Sequence, residues 1–257
     1  MFSSPWPLFN RPSIQLGTLK AYVKRKMPEL DVTAHHFFLL LAKGLGYPIY
    51  QEISQHTWLA ESIYASLLFP EQKIIAESLF KQKARSISTL RKIAFQNLIA
   101  ITTSVTDEFV QSLPDHRPLL AGFSISLCQL TASLYLIKKI KARFPQLPVV
   151  VGGALVAGKA GEDLKSVFPQ IDFVIQGEGE VPLVQLVKSI YEKNIMAEQN
   201  SFQSESISTK NTEWKKITPS QIKHLDELPI PDYDDYFALL QQFPANRRFF
   251  PVLSIEA

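Results

Sequence analysis

One cysteine, Cys128, in 257 residues leaves no partner for an intrachain disulfide and no set of thiolates for a zinc or iron–sulfur centre. It sets a reducing compartment as the expectation. Long apolar runs are also missing. None reaches the roughly 18–20 residues that cross a bilayer, so no membrane partner is expected. The N-terminal MFSSPWPLFNRPS lacks the basic stretch and apolar core of a signal peptide, and the cytoplasm is the expected location. A basic stripe is lacking too. The net charge is +3 with pI ≈ 8.8, but the lysines and arginines are dispersed, so no nucleic-acid partner is expected. Glycine is scarce and unevenly placed: of ten, seven fall between Ala121 and Leu186, and none follows Gly179.

What is present is concentrated in that same stretch. AGFSISLCQL, PVVVGGALVAGKAGEDL and IDFVIQGEGEVPLVQL each run from an apolar segment into small or polar residues and then into helical periodicity. That succession predicts parallel strands joined by crossover helices. In such sheets ligands bind outside the carboxyl ends of the strands, where these three turns lie.

The rest of the chain fits around this centre. Met1 to Ser4 reads as a short first strand, followed by an extended loop forced by Pro5, Pro7 and Pro12. Ser13 is a candidate N-cap for a helix to about Met27. Asp31 to Phe37 is the expected second strand, with its unit ending at Gly44, Gly46 and Pro48. From His56 to Leu113 the pattern is helical, an insertion relative to a minimal strand–helix–strand unit. Leu90, Ala94, Leu98, Ile101, Val105 and Phe109 predict one stripe on a single long helix. Strands are expected at Leu119 to Ser126, Val149 to Val151 and Phe173 to Gln176. The polar stretch from Asn194 to Thr212 reads as a loop or linker, and FFPVLSIEA as a further strand. The expected division is an α/β domain over 1–192, with its helical insertion at about 56–113, and over 193–257 a linker and the start of a second domain that is missing from this chain.

Each turn admits two readings. Ser124, Ser126, Leu127 and Gln129 can present hydroxyls and an amide to a polar ligand edge, or Ser126 can simply cap a helix. Gly152 and Gly153, with Ala154, let a flat ligand approach the backbone, or make a tight turn. Gly177, Glu178, Gly179 and Glu180 place carboxylates at a helix start. The helix dipole favours them there, and they also suit a ligand rich in amide donors. Gly153 to Ala160 is one residue short of a phosphate-binding loop: Ala160 stands where Ser or Thr would hold magnesium, and the middle residues are apolar. His35 and His36 alternate across a strand and cannot both face one site. His56 is expected to start a helix, His224 lies in the tail, and Asp115 and His116 have no nucleophile beside them.

The run GFSISLCQLTASLYLIKKIKARFPQLPVVVGGALVAGKAGEDL, followed by IDFVIQGEGEVPLVQLV, resembles the cobalamin-binding domain of cobalamin-dependent radical S-adenosylmethionine enzymes. PWPLFNRPSIQLGTLKAYV and LDELPIPDYDDYF are similar to the same family, closest to its branch that modifies ribosomally made peptides, often as C-methyltransferases. The resemblance implies a flavodoxin-like (Rossmann-like) parallel sheet of order 2-1-3-4-5, with cobalamin against the turn after the first strand. Trp6, Leu8 and Asn10 would be contacts there, and the turns at Ser124 to Gln129, Gly152 to Ala154 and Gly177 to Glu180 would complete the site. The Asp-x-His-x-x-Gly motif that supplies a lower-face histidine elsewhere is absent, in keeping with that family. The cluster motif CxxxCxxC is absent too. The [4Fe–4S] cluster and S-adenosylmethionine are therefore expected only in a radical SAM barrel missing from this chain or carried separately, with a precursor peptide as substrate. The competing expectations are a stand-alone cobalamin carrier or sensor and, more remotely, a P-loop-like nucleotide-binding protein.

Overall fold

Residues 1–115, 118–201 and 222–253 are described in a computed structural model. Five short strands form one all-parallel sheet: β1 (Phe2–Ser3), β2 (His35–His36), β3 (Ala121–Ser124), β4 (Val149–Gly152) and β5 (Phe173–Val174), in the order β2-β1-β3-β4-β5. This is the flavodoxin-like order, and it puts the topological switch point between β1 and β3.

Alternation along the strands sorts side chains to two faces. Phe2, Ala121, Phe123, Val149 and Val151 face the larger core. There Phe2 stacks on Phe123 at 4.9 Å, and Phe37 stacks on Phe109 at 4.7 Å. Val150, Phe173 and Ile175 join the other core, with Val23, Leu183 and Val187. Helix α1 (Ile14–Lys26) covers that second face together with α9 (Glu180–Ser201). Ser13 caps α1 as expected, accepting from Leu16 N at 3.3 Å, and Lys24, Arg25 and Lys26 close its last turn.

The first face is covered by α2 (Phe37–Leu45), α6 (Phe95–Ser112) and α7 (Leu130–Arg143), and α8 (Lys159–Val167) packs on β5. Outside this layer lie α3 (Tyr47–Ser54), α4 (Thr57–Leu68) and α5 (Lys73–Ala84). Phe37, Phe38, Leu39 and Leu41 of α2 are fully buried, each contributing about 1.5–3 kcal/mol of transfer free energy. Glu61 of α4 reaches the free N–H groups at the start of α7, accepting from Leu130 N at 3.1 Å and Thr131 N at 2.9 Å. This is a side-chain cap supplied from another helix.

Several boundaries differ from the expectations. Strand β2 is two residues long because the apolar run FFLLLA begins a helix at Phe37. The long helix starts at Phe95, so Leu90 and Ala94 precede it. Its buried side is Phe95, Leu98, Thr102, Thr106, Phe109 and Val110, while Ile101 lies toward solvent. Leu98 and Phe109 of the expected stripe are on that side and Val105 packs against the core, so the stripe was legible in part, with Ile101 misplaced. Thr106 hides its polarity by donating to Thr102 O at 2.6 Å, which lets threonines stand on the packed side. The polar stretch after Asn194 begins as helix, since α9 continues to Ser201. The remainder of the expected linker, 202–221, lies outside the described residues. Phe249 to Leu253 is not in a strand, and 254–257 and His116 are outside the described residues. The final segment returns to α1 and β2 through α10 (Asp234–Gln241), whose Tyr236 is fully buried against His36 and Phe38. Among the described residues no helix is long and apolar enough to cross a membrane.

Candidate functional site

Between the second face of the sheet and its covering helices lies a cavity of ≈ 270 Å³ at the carboxyl ends of the strands. Its floor is set by what alternation leaves on that side. Gly122 and Ser124 of β3 pair with Val150 and Gly152 of β4, and three of these four side chains are a hydrogen or a hydroxymethyl. A glycine inside a strand marks a close approach, and here the space over Gly122 belongs to the cavity. One wall is α1, through Ile14, Leu16 and Leu19. The opposite wall is the turn after β5 and the start of α9, through Gly177, Glu178, Gly179, Glu180 and Leu183. Leu228, from the returning segment, also lines it. A second cavity, of ≈ 310 Å³, sits around Leu30, Thr33, Leu120 and Val187, near the amino ends of the strands. The carboxyl ends are where open α/β sheets bind ligands, so the first cavity is the candidate site.

The backbone at its rim is held tightly. Ile125 N donates to Gly152 O at 2.7 Å, and Leu155 N donates to Ile125 O at 3.3 Å, across Gly153. Gly153 has φ +104°, and a Cβ there would lie 2.5 Å from Ile125 O. Gln176 Nε2 donates to Gly158 O at 3.0 Å and ties the exit of β5 to that of β4. Leu155 and Val156 pack into the core and the turn at Ala154–Val156 is a single 3-10 turn, an arrangement that leaves no loop wrapped for a triphosphate.

Of the residues singled out in the sequence, the cavity brings together Ser124, Gly152, Gly153, Gly177, Glu178, Gly179 and Glu180. Trp6, Leu8, Asn10, Ser126, Leu127, Gln129 and Ala154 do not line it. Trp6 is 2% exposed, donates through Nε1 to Ala60 O at 3.0 Å and packs on Tyr50 and Tyr64. The indole is therefore an anchor between the first turn and the helical insertion. Asn10 uses its carbonyl to accept from Val252 N, and Leu8 uses its own to accept from Arg11 N. Leu127 points to solvent at the tip of its turn.

Gln129 also has a role the sequence did not disclose. Its amide Nε2 donates to Ser4 O at 2.6 Å, and its Oε1 accepts from Ser126 N at 3.0 Å. It thereby joins the exits of β1 and β3 across the switch point while buried to 4% exposure. Gln129→Leu leaves Ser126 N and Ser4 O without this partner, at an expected cost of about 2–4 kcal/mol. Urea unfolding measures it, and a loss below half a kilocalorie would show the tie to be dispensable.

Sequence reasoning missed the α1 side of the cavity, Gly122 and Leu228. Gly122 carried a usable signal, a lone glycine in an apolar strand. Leu16 and Leu19 were legible only as an apolar helix side. Leu228 carried no signal, because it meets α1 from about two hundred residues away. Among the described residues no three His, Cys, Asp or Glu side chains cluster as a metal site would require.

The fold defines the class as a doubly wound open α/β protein, with a crevice at the carboxyl ends of its strands. Residues 88–187 match the family model described as B12 binding domain. The matched stretch begins ahead of α6 and ends within α9. It includes β3, β4, β5 and the cavity residues from Gly122 to Leu183, and leaves out β1, β2 and α1. A B12-binding domain is thus present in this part of the chain, and the five-stranded parallel sheet has the order of that fold. No curated protein and no solved structure gave a match.

Proposed function

We propose that this chain binds cobalamin at the carboxyl ends of β1, β3, β4 and β5. The observation that carries the reading is the glycine-floored cavity, whose floor and one wall, from Gly122 to Leu183, lie in the matched B12-binding stretch. Its volume suits a bicyclic heterocycle with part of its sugar, as in the nucleotide tail of cobalamin, and is too small for the corrin ring. The ring would lie outside, over the turns. Bound cobalamin supplies a cobalt centre able to carry an alkyl group.

The chain's own residues would bind and shield. Gly122 and Gly152 leave room for a flat ring against the backbone, and Gly153 lets the rim close on Ile125. Leu19, Leu183 and Leu228 exclude water from it. Glu178 and Glu180, as carboxylates, accept hydrogen bonds from the ligand's amides. The cavity lining among the described residues contains no histidine, and His36 is buried elsewhere, against Tyr236.

The finer reading is that the domain serves a radical S-adenosylmethionine C-methyltransferase of peptides. It is supported by the resemblance of the flanking segments PWPLFNRPSIQLGTLKAYV and LDELPIPDYDDYF. In that reading the iron–sulfur cluster and S-adenosylmethionine belong to a barrel other than the described α/β domain, since one cysteine cannot supply a three-cysteine motif.

The test is retention of hydroxocobalamin by the purified chain through gel filtration, followed by its visible spectrum. Gly122→Val places two methyl groups in the cavity at a position where a Cβ meets nothing closer than Val150 Cγ1 at 3.5 Å. The strand tolerates a β-branched residue, so the fold should survive while affinity falls at least about tenfold, the 1.4 kcal/mol equivalent. Equal retention by a folded Gly122→Val chain would rule out this cavity as the site.

A further inference from the structure

We propose that residues Ile222 to Asp235 form a strap whose docking and the occupancy of the cavity reinforce each other. The inference rests on the cobalamin reading and adds a means of regulating the same site.

The strap joins the two walls of the cavity. At one end Ile222 N donates to Glu178 Oε2 at 2.9 Å, in the turn after β5. Leu228 then enters the cavity lining, and the Arg25 guanidinium of α1 donates to Glu227 O. At the other end Asp232 N donates to Gly17 O at 3.1 Å on α1. Lys20 Nζ, on a side chain only 5% exposed, lies 3.0 Å from Asp232 Oδ1 and 2.6 Å from Asp235 Oδ2. Asp235 Oδ2 also accepts from Ala34 N at 2.7 Å, ahead of β2, and Lys24 reaches Asp232 at 3.3 Å.

A buried ammonium needs such partners, because an unpaired charge is costly to bury. Burial works against the charge on Lys20, but the hydrogen bonds with Asp235 and Asp232 outweigh it and hold the group above its ordinary range. Burial likewise opposes the charge on Asp232, and the Asp234 N–H and Lys20 overcome it and hold that carboxyl below its ordinary range.

The closest approach is at Gly17. A Cβ there would stand 2.8 Å from Tyr233 Cε1 and 3.0 Å from Pro231 Cβ. The strap can lie flat on α1 only because this position has no side chain. A ligand held between α1 and the Gly177–Glu180 turn gains from a strap that fixes both walls. By linkage, the ligand must then favour the docked strap to the same degree.

Gly17→Ala separates the strap from the domain. Gly17 lines neither cavity, and alanine is the better helix former at an interior position of α1, so the domain itself is not weakened. The full chain is loaded with hydroxocobalamin, and release is timed by repeated spin filtration, with hydrogen exchange of residues 222–240 measured with and without ligand. Gly17→Ala and, independently, Asp232→Ala are expected to release corrin at least about fivefold faster, the low end of ordinary coupling between sites. In the wild type the strap amides should exchange more slowly when cobalamin is bound. Release at the wild-type rate from both variants overturns the strap. Failure of the wild-type chain to retain any corrin overturns the cobalamin reading instead. That result is separable, because exchange in the ligand-free chains still reports whether Gly17→Ala undocks the strap.

Discussion

Gly153→Ala is expected to lower the thermal unfolding midpoint by roughly 6–12 °C, about 3 kcal/mol for a chain of this size, and to abolish retention of cobalamin. Two independent penalties meet at this residue. Its φ of +104° and ψ of 176° fall in a region open essentially to glycine alone, where another residue pays about 1–3 kcal/mol. The added Cβ would also lie 2.5 Å from Ile125 O and 2.9 Å from Ile125 N. These are backbone atoms that cannot swing aside, and forced overpacking typically costs a further 1–3 kcal/mol or so.

Relief requires moving the exit of β4 away from that of β3. That breaks the Ile125 N to Gly152 O bond and shifts the rim of the cavity. The neighbouring Gly152→Ala is the control. Its Cβ would meet Ile175 O at an ordinary 3.6 Å, so its midpoint should stay within a few degrees of wild type. Calorimetry of the two variants decides the matter: equal midpoints would mean that the β3–β4 rim yields more easily than its geometry implies.

Acidification from pH 7.5 to 5 should cost the protein about 2 kcal/mol through His36 alone. His36 is 1% exposed, and neither ring nitrogen has a hydrogen-bond partner. Its pKa is lowered to about 4, chiefly because burial disfavours the imidazolium. Lys20 and the chain's amino group push in the same direction, and Asp235 opposes them. The unfolded chain therefore takes up a proton near the ordinary histidine value while the folded chain refuses it. Stability is complete above that value, declines as pH falls below about 6.5, and the full loss is reached near pH 4.

His35 acts in the same sense, lowered to about 3 first by burial. The Lys20 latch does not compensate in this window, because Asp232 stays ionised below the ordinary carboxylate range. Urea unfolding of wild type and His36→Phe at both pH values isolates the effect. Phenylalanine keeps the edge contacts with Phe38 and Tyr236, at 5.7 and 5.2 Å for the native ring, and removes the titration. A variant that loses as much stability as wild type between the two pH values would assign the slope to other groups.

The two variants probe opposite kinds of information. Gly153 was legible in the sequence, as one of a glycine pair closing an apolar strand, because a strand-to-helix turn demands its own local chemistry. The same holds for Ser13 as a cap, for the three βα units and for the acidic turn at Gly177 to Glu180. The family resemblance pointed to the same turns, and the match over residues 88–187 supports cobalamin as the ligand class. His36 was legible only as a strand residue. Its isolation from hydrogen-bond partners depends on Tyr236 arriving from the far end of the chain.

Periodicity, turn residues and capping are short-range, and the sequence by itself determined what they control: a parallel α/β sheet and the position of its turns. The tertiary structure alone decided three further things. It fixed which glycine forms the cavity floor, because Gly122 matters only through what lies across from it on β4. It turned Trp6 and Gln129 into buried ties, because their partners, Ala60 O and Ser4 O, lie 54 and 125 residues away. And it laid the segment from Ile222 to Asp235 over Gly17 and Lys20, an arrangement set by steric fit and paired charge between elements with no local pattern in common.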